Sequence, residues 1–397
     1  MKNLIIILIL FFICSCAGQQ TVKKVESLPP SPVSTMPVQT LDKPQSIPAE
    51  PVASLFGEVL SGVRTSAVSF NPSYGDEVAI FYRLSRAAKV NINIYDPDRG
   101  LIRAIPTEEH LEPGEHTTIW DGKDMDGNVV PDEAYFFTII AEDNSGHKEI
   151  YDPTTFSGGI EHDISSADIN LQGGTVTYNM PEMGRVMIRM GIQGGALMNQ
   201  LVDWKPRVKG LITEYWNGKD KDNLMDLYNH PKFKMIITYF SLPENSIITF
   251  GNKSITYRSY KNDLAKERPI KKERPGRVRS VSPHYRIPRT ADYSPDVKMT
   301  LKNTKGTDES GIPVLTGKTL VKVELDEKDR LFFQNQQFEI CFFLDNEFYA
   351  EDEAGYTPFN WVWDLSNVSE GEHLLTVNLS GFKDQIGVVT QKVRVIK

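Results

Sequence analysis

Short runs in which apolar and polar residues alternate fill the chain from about residue 60 to its C-terminus. The runs "EVAIFYRLS", "AKVNINIYD", "HTTIWDG" and "AYFFTIIAED" are rich in β-branched and aromatic residues, and glycine, proline and aspartate cluster between them. No long segment places its apolar residues at helical spacing. The pattern therefore predicts an all-β protein. Similar runs over 313–397, among them "KTLVKVELD" and "QFEICFFLD", predict a C-terminal β-sandwich of about seven strands.

Two segments of the chain resemble each other at a constant offset of 96 positions. The coinciding pairs are Tyr82 and Tyr178, Lys89 and Arg185, Val90 and Val186, Ile92 and Ile188, and Trp120 and Trp216. "WDGKDMDGN" then falls on "WNGKDKDNL", and "YFFTII" at 135–140 matches "FKMIIT" at 233–238 after a slip of two residues. The repeat predicts two tandem β-sandwich domains, 60–152 and a more diverged 160–258.

The N-terminus reads "MKNLIIILILFFICSCAGQQ", a lysine and an apolar run that is short for a membrane span and has the layout of a secretory signal. The end of this run, "ICSC", resembles a bacterial lipobox. Residues 1–15 are therefore predicted to be a lipoprotein signal peptide, and Cys16 the lipidation site that carries acyl chains such as palmitate. Ala17 favours the cell outer membrane, by resemblance to enterobacterial sorting. An ordinary signal peptide is the alternative.

Two further segments are predicted to connect the folded parts. Residues 16–52 are rich in proline, serine and glutamine and contain no aromatic residue, so we expect a disordered tether that lifts the folded part off the membrane. Residues 259–312 are predicted to be a basic linker, because 261–290 contain ten basic and three acidic residues. The linker is expected to be a solvated connector; a patch for lipid head groups, anionic polysaccharide or nucleic acid is the alternative.

The charge, the cysteines and the absence of known motifs argue against nucleic-acid binding, cofactors and catalysis. The formal net charge is −8, from 44 basic and 52 acidic residues, so nucleic acid is not an expected partner. Cys341 in "FEICFFLD" is the thiol left after Cys14 and Cys16, and it is expected to be a small core residue. The sequence contains no haem motif, no zinc spacing and no hydrolase, phosphate-loop or dinucleotide motif. We predict no cofactor and no enzyme activity.

The repeated tryptophan segment could be a calcium loop or a turn. An EF-hand frame starting at Asp121 places Lys123 at a ligand position, and a frame starting at Asp124 places Val129 where glycine is required. A structural turn is therefore preferred, with Asp126-Gly127 suited to a type I′ hairpin and Asp121 and Asp124 accepting backbone N–H groups. The predicted turn residues are Trp120, Asp121, Gly122, Asp124, Asp126, Gly127 and Trp216.

"LEPGEHTTIWDGKDMDGNVVPDEAYFFTIIAEDNSG", Leu111–Gly146, resembles the immunoglobulin-like (Ig-like) domain of the flagellar hook-capping protein, and "FNPSYGDEVAIFYRLS", Phe70–Ser85, resembles the opening stretch of that domain. The resemblance covers most of 64–150 and implies a β-sandwich module without catalytic residues. One departure is that Asp132-Glu133-Ala134 stands where the family usually has glycine before the aromatic strand. By this resemblance the chain is expected to consist of tandem Ig-like domains.

A second candidate site is the acidic and aromatic segment 345–363. Its possible binding residues are Glu351, Asp352, Glu353, Tyr356, Trp361 and Trp363. The alternative is a charged loop before a strand in which Trp361 and Trp363 face opposite sides. His373 is expected to be a strand residue without a triad partner.

We therefore expect a non-catalytic lipid-anchored envelope protein that acts as a scaffold or binds another envelope protein through its sheet edges. Its expected partners are membrane lipid, through the acylated N-terminus, and a second envelope protein. A carbohydrate- or cation-binding protein that uses 345–363 is the first alternative, and a hydrolase with an unrecognised site is the second.

Overall fold

The computed structural model describes residues 59–267, 294–333, 336–381 and 385–397. The predicted signal peptide, the lipidation site Cys16, the tether 16–52 and much of the basic linker lie outside these residues.

Alternating burial along short β-branched runs produces the strands, since every second side chain of a strand points to the same face. In chain order the first eight are β1 (Leu60–Thr65), β2 (Ser69–Phe70), β3 (Val78–Leu84), β4 (Ala88–Tyr95), β5 (Leu101–Pro106), β6 (Gly114–Trp120), β7 (Ala134–Asp143) and β8 (Lys148–Tyr151). They are followed by β9 (Glu161–Ile164), β10 (Asp168–Asn170), β11 (Thr175–Met180), β12 (Gly184–Ile192), β13 (Leu197–Arg207), β14 (Gly210–Tyr215), β15 (Phe233–Ser241) and β16 (Ile247–Thr249). The last are β17 (Val297–Lys302), β18 (Val314–Leu315), β19 (Lys318–Leu325), β20 (Phe338–Leu344), β21 (Glu347–Asp352), β22 (Phe359–Asp364), β23 (Gly371–Gly381) and β24 (Ile386–Val395).

Two short α-helices also occur among the described residues, α1 (Tyr257–Glu267) and α2 (Glu327–Phe333). Asp326 precedes α2 and accepts the backbone N–H of Asp329, so it caps the helix N-terminus. Neither described helix has the length and apolar character needed to cross a bilayer. The predicted all-β class is confirmed.

The strands form three sandwiches, each with a three-stranded sheet facing a larger one. In the first, β1-β3-β6 faces β2-β16-β7-β4-β5, with β8 also paired to β7. In the second, β10-β11-β14 faces β13-β12-β15-β9, and in the third β17-β19-β22 faces β18-β24-β23-β20-β21. Each sandwich encloses its own cluster of buried apolar side chains. The described residues of the third sandwich form eight strands, against the prediction of about seven.

The predicted repeat corresponds to matching register in the first two sandwiches. Leu84 lies opposite Gly114 on β6, and Met180 lies opposite Gly210 on β14, each pair offset by 96 positions. The slip of two residues also appears, because Ile92 pairs with Ile139 whereas Ile188 pairs with Ile237.

The second sandwich is inserted into the edge of the first. Both β8 and β16 pair with β7, at different ends of that strand, and the whole second sandwich lies between them in sequence. The two crossing segments hydrogen-bond to each other, through Gly159 N–H to Ser241 O at 2.8 Å and Ser241 N–H to Ile160 O at 2.9 Å. In the third sandwich, β24 pairs antiparallel with β23 and parallel with β18, as β16 does with β7 and β2.

Two predicted boundaries differ from the structure. The predicted second domain, 160–258, includes β16, which belongs to the first sandwich; a strand of three residues has too short a pattern to show this in the sequence. The predicted linker, 259–312, includes most of α1 and all of β17, a strand that pairs with β19 of the third sandwich.

Candidate functional sites

The first of the two repeated turns follows Trp120, whose buried side chain hydrogen-bonds to the turn. Its side chain is fully buried at the end of β6, and its indole N–H donates to Lys123 O at 3.1 Å. Asp121 Oδ1 accepts the N–H of Lys123 at 3.1 Å. Asp124 Oδ1 accepts the backbone N–H groups two and four residues later, at 3.0 and 2.9 Å. The carboxylates therefore satisfy backbone donors of their own loop.

The second copy repeats, 96 positions later, the contacts of Trp120 and Asp121, and its aspartate binds the loop in a related way. The indole N–H of Trp216 donates to Lys219 O at 2.8 Å, and Asn217 Oδ1 accepts the N–H of Lys219 at 3.0 Å. The carboxylate of Asp220 accepts two backbone N–H groups of its loop. Asparagine replaces Asp121 without loss of the bond, because either side chain supplies the acceptor oxygen.

The turn is not the type I′ hairpin that the sequence predicted. Type I′ needs positive φ at both central residues, and of the pair Asp126-Gly127 only Gly127 has it, at 83°. The loop closes instead through Gly127 N–H to Asp124 O at 3.2 Å, so the left-handed residue follows the turn. Asn223 takes the same place in the second copy with a φ of 60°.

Each turn also holds a neighbouring element. The free oxygen of Asp124, Oδ2, accepts the hydroxyl of Tyr260 on α1 at 2.9 Å. In the second copy, Asp222 Oδ2 accepts the N–H of Thr390 on β24 at 2.6 Å, which joins the second sandwich to the third. Burial raises the pKa of Asp222. The loops therefore attach modules to each other and to α1.

An open cleft of about 570 Å³ lies beside the first turn, between Asp124, Asp126 and the α1 segment with Asp263. Within the described residues, no group of three or more His, Cys, Asp or Glu has the geometry to hold a metal ion.

The second candidate site forms the free edge of the third sandwich. Glu351 and Asp352 end the edge strand β21, and Trp361 and Trp363 lie on the edge strand β22 of the facing sheet. The two indoles stack on each other with centroids 5.6 Å apart, so the alternative that they face opposite sides is wrong. Residues two apart on a strand share a face. Trp363 is fully buried, and Tyr356, at 56% exposed, is the accessible aromatic residue of the predicted set.

Carboxylates accumulate at this edge. Burial and the neighbouring Glu353 raise the pKa of Glu351. Burial, followed by the charges of Glu351 and Glu353, raises the pKa of Glu339 on β20. Cys341, opposite Glu351, packs with Phe343 into the core cluster of the second sandwich. Burial raises its thiol pKa to about 12, so the thiolate nucleophile is scarcely populated at neutral pH.

His373 has partners that the sequence did not reveal. Its Nδ1 lies 2.7 Å from Asp345 Oδ2, and its Nε2 lies 3.3 Å from Ser369 Oγ. This order of atoms looks like a Ser-His-Asp triad, but Nε2 is closer to the carbonyl oxygen of Ser369, at 2.9 Å. A carbonyl only accepts, so Nε2 carries a proton and cannot take one from the hydroxyl. The arrangement orders a turn.

Comparison with known proteins agrees with the geometry of the first sandwich. Residues 69–145 match the family model of the FlgD Ig-like domain. The basal-body rod modification protein FlgD of Salmonella typhimurium is 33% identical over 96 residues, and that of Salmonella typhi gives the same values. These residues are 24% of this chain and 38% of the relatives, so the chain spans well under half of their length. The predicted resemblance to the hook-capping protein's Ig-like domain is confirmed.

The comparison with solved structures also matches FlgD from P. aeruginosa, with a TM-score of 0.19 and 20% identity over 30% of this chain and 83% of that one. A tetra-tandem repeat from the extending region of a large adhesion protein has a TM-score of 0.18 and 9% identity, over 84% of this chain and 73% of that one.

In the departure from the family pattern at Asp132-Glu133-Ala134, Glu133 contacts the second sandwich and Asp132 holds the segment after β16 of the first sandwich. Glu133, 2% exposed, binds Arg185 of β12 through Oε2 to Nη2 at 2.9 Å. Asp132 accepts the N–H groups of Gly251 and Asn252 after β16, at 3.0 and 2.7 Å. The sequence showed the departure but not that these carboxylates bind other elements. The signal that could have indicated it was the pair of adjacent acidic residues where the family usually has glycine.

Proposed function

We propose that this protein is a non-catalytic, lipid-anchored envelope scaffold that displays three Ig-like modules to another envelope protein. The match of residues 69–145 to the FlgD Ig-like domain supports a protein-interaction role for the first module. The lipid anchor rests on the sequence around Cys16.

The observation that carries this proposal is the use of the repeated turns. Their carboxylates bind their own backbone and the next structural element, through Asp124 to Tyr260 and Asp222 to Thr390. Polar groups used in this way hold modules together. The third sandwich is fixed in addition by Asn378, whose amide exchanges two hydrogen bonds of 2.9 Å with the backbone of Leu197. An array of attached modules with free sheet edges suits a scaffold.

The anchor is tested by expressing the full chain with Cys16→Ala and with Cys14→Ala. Loss of membrane sedimentation and of labelling with a palmitate analogue is expected for Cys16→Ala alone. Cys14→Ala is the matched control, because that residue leaves with the signal peptide. Retention of membrane sedimentation and labelling by Cys16→Ala would contradict the lipid anchor.

The scaffold role is tested by crosslinking in intact cells, followed by capture of the chain and identification of attached proteins. Capture of a specific envelope protein by the wild-type chain is expected, with loss of capture when the strand pairing of an exposed edge is blocked by proline. A chain that captures no envelope protein but hydrolyses an ester or glycan substrate would contradict the proposal.

The carboxylates at the edge of the third sandwich support a second candidate, cation or carbohydrate binding. Glu351 and Glu353 repel each other, and the ring of Tyr356, three residues after Glu353 in the sequence, is exposed. A cation bound there would raise the melting temperature of the chain, and Glu353→Gln would reduce that rise. An unchanged melting temperature with millimolar calcium, and no retention on a glycan array, would dismiss this candidate.

A further inference from the structure

The three sandwiches present equivalent edge strands that differ in charge. β6, β14 and β22 each form the outer edge of a three-stranded sheet. On β6, Glu115 lies opposite Arg83 of β3, with the two charged groups 4.0 Å apart. On β22, Asp364 lies opposite Lys318 of β19 at 3.6 Å. Charges on an edge strand discourage pairing with a second strand.

The edge strand β14 lacks this protection. Leu211 occupies the position of Glu115, and Asn179 occupies that of Arg83, each 96 positions later. Three side chains of β14 point outward, and they are Leu211, Thr213 and Tyr215. Leu211 is 75% exposed and Tyr215 is 82% exposed. An edge whose outward side chains are uncharged, two of them large and accessible, is a template for another strand.

The pattern of β14 is complementary to itself. In an antiparallel pair, residues that lie directly opposite each other point to the same face of the sheet. If two copies of one strand pair around a two-fold axis, one residue must therefore lie opposite the same residue of the second copy, with the axis between them. If the axis lies between the two copies of Thr213, all three outward side chains of each strand have a partner on the other strand. This register places Leu211 of each copy opposite Tyr215 of the other, an aliphatic-aromatic pair of the kind that stabilises sheets.

The inward side chains of β14 do not oppose this pairing. In the same register Ile212 of one copy lies opposite Glu214 of the other. The carboxylate of Glu214 is already bound by Arg207, with distances of 2.7 and 3.1 Å, and it accepts the hydroxyl of Tyr178 at 3.1 Å. A neutralised inward carboxylate leaves the edge free of like-charge repulsion.

We propose that β14 is a self-association surface, through which two copies of this chain form a symmetric dimer with one continuous six-stranded sheet. The sheet order is β10-β11-β14 followed by β14-β11-β10 of the second copy. The interface is isologous, so it closes at two copies and does not propagate into a fibre. This inference is independent of which other protein the modules bind.

Disulfide trapping tests the register. In the full chain, Thr213→Cys is expected to give a dimer on a non-reducing gel, because the two thiols would face each other across the axis. Thr117→Cys, at the equivalent position of β6, is the matched control and should remain monomeric. The unsubstituted chain reports the background from its own cysteines. Absence of a Thr213→Cys dimer, or equal crosslinking of both variants, would overturn the proposal.

A charge exchange tests the pairing of side chains in residues 56–397, which contain all three cores and form one compact unit. Sedimentation is expected to show a concentration-dependent dimer. Leu211→Glu and Tyr215→Lys should each weaken it at least tenfold, and the combined variant should restore it, because the carboxylate of one copy then faces the ammonium of the other. Ile119→Lys, equivalent to Tyr215→Lys, should leave association unchanged.

Both substituted side chains are mostly exposed, so the melting temperature should stay near that of the parent chain and exclude misfolding. A monomer at every concentration, or a dimer insensitive to Leu211→Glu, would show that β14 pairs with something other than a second copy or remains unpaired.

Discussion

At the scale of single residues, three aspartates among the described residues bind the backbone of their own loops in the same way. Asp124, Asp143 and Asp308 each accept, through Oδ1, the N–H groups two and four residues later. A glycine with φ near 80° follows each of them three positions later. The shared sequence is Asp-x-Asp/Ser-Gly-x, and the aspartate supplies the acceptor that the backbone of a tight loop lacks.

The pair of His373 and Asp345 predicts a pH dependence. Burial lowers the pKa of His373, but the hydrogen bonds to Asp345 and to Ser369 O outweigh burial and raise it above its usual value. A histidine with a raised pKa stabilises the fold fully below its unfolded pKa, about 6.5, and loses that contribution as pH rises through the folded pKa. The melting temperature should therefore fall between pH 6 and pH 8 by calorimetry.

Asp345→Asn should reduce this fall, because asparagine tolerates the φ of 51° at this position but does not favour the imidazolium. Substitution of His147, which is exposed, should leave the pH profile as it is in the parent chain. A profile that Asp345→Asn does not change would refute the assignment.

The sequence revealed those residues whose partners are local. Trp120, Asp121 and Oδ1 of Asp124 bond within their own loop, and their pattern could be read directly. The bond from Tyr260 to Oδ2 of Asp124 spans 136 positions and could not. Glu133 and Arg185 are 52 positions apart, and His373 and Asp345 are 28 apart. Contacts over such distances depend on topology, and no local pattern specified them.

At the scale of elements, the repeat preserves strand register and turn contacts while the surroundings of each turn change. Gly122 and Gly218 occupy equivalent positions, with φ values of 69° and 83°. A Cβ on Gly122 would lie 2.3 Å from Cβ of Pro72, whereas a Cβ on Gly218 would lie 3.0 Å from the flexible end of Leu171. The same turn is therefore packed rigidly in one module and loosely in the other.

Alanine substitution should separate backbone strain from crowding. Gly218→Ala is expected to cost roughly 1–2 kcal/mol for the left-handed backbone. Gly122→Ala carries the same strain and an overlap with the proline ring, which adds about 1–3 kcal/mol. Denaturant unfolding of both variants measures the difference. Equal losses of unfolding free energy would show that the proline segment yields.

The alternation of apolar and polar residues predicted which segments are strands, but it did not predict the sheet to which each strand belongs. The register of β3 with β6 and of β11 with β14 agrees with the repeat read from the sequence. β16 has three residues and no counterpart in the alignment of the two repeats, so its return to the first sandwich was invisible. A short strand that joins a sheet distant in sequence is determined by the unpaired edge of that sheet, which a local sequence pattern does not show.

At the scale of the whole molecule, two crossings and a buried ion pair join the first two sandwiches. Glu133 and Arg185 are 2% and 3% exposed. Burial raises the pKa of Glu133, against the opposing effect of the Arg185 charge. Desolvation is thus a large cost at this contact, and the contact depends on both partners being present.

A double-substitution cycle measures this dependence. Arg185→Met leaves a buried carboxylate without its main cation and should cost about 3–5 kcal/mol of unfolding free energy. Adding Glu133→Leu should recover much of that loss, because an apolar pair of similar volume carries no desolvation penalty. Denaturant unfolding of the two single variants and the double variant gives the coupling. Additive losses would show that the two side chains do not interact.

The insertion of the second sandwich between β8 and β16 of the first also predicts which fragments of the chain fold. Residues 59–158 contain β1 to β8 but lack β16, whose Ile247 is fully buried against β7 in the intact chain. This fragment should leave the end of β7 unpaired and should aggregate, whereas 59–267, which supplies β16 and α1, should be monodisperse in a melting and gel-filtration comparison. Residues 294–397 contain every strand of the third sandwich and should also fold alone, although Cys341 and Phe343 would then be exposed. If 59–158 matched 59–267 in melting temperature, β16 would be an accessory strand, and the first two modules could be separated at a single linker.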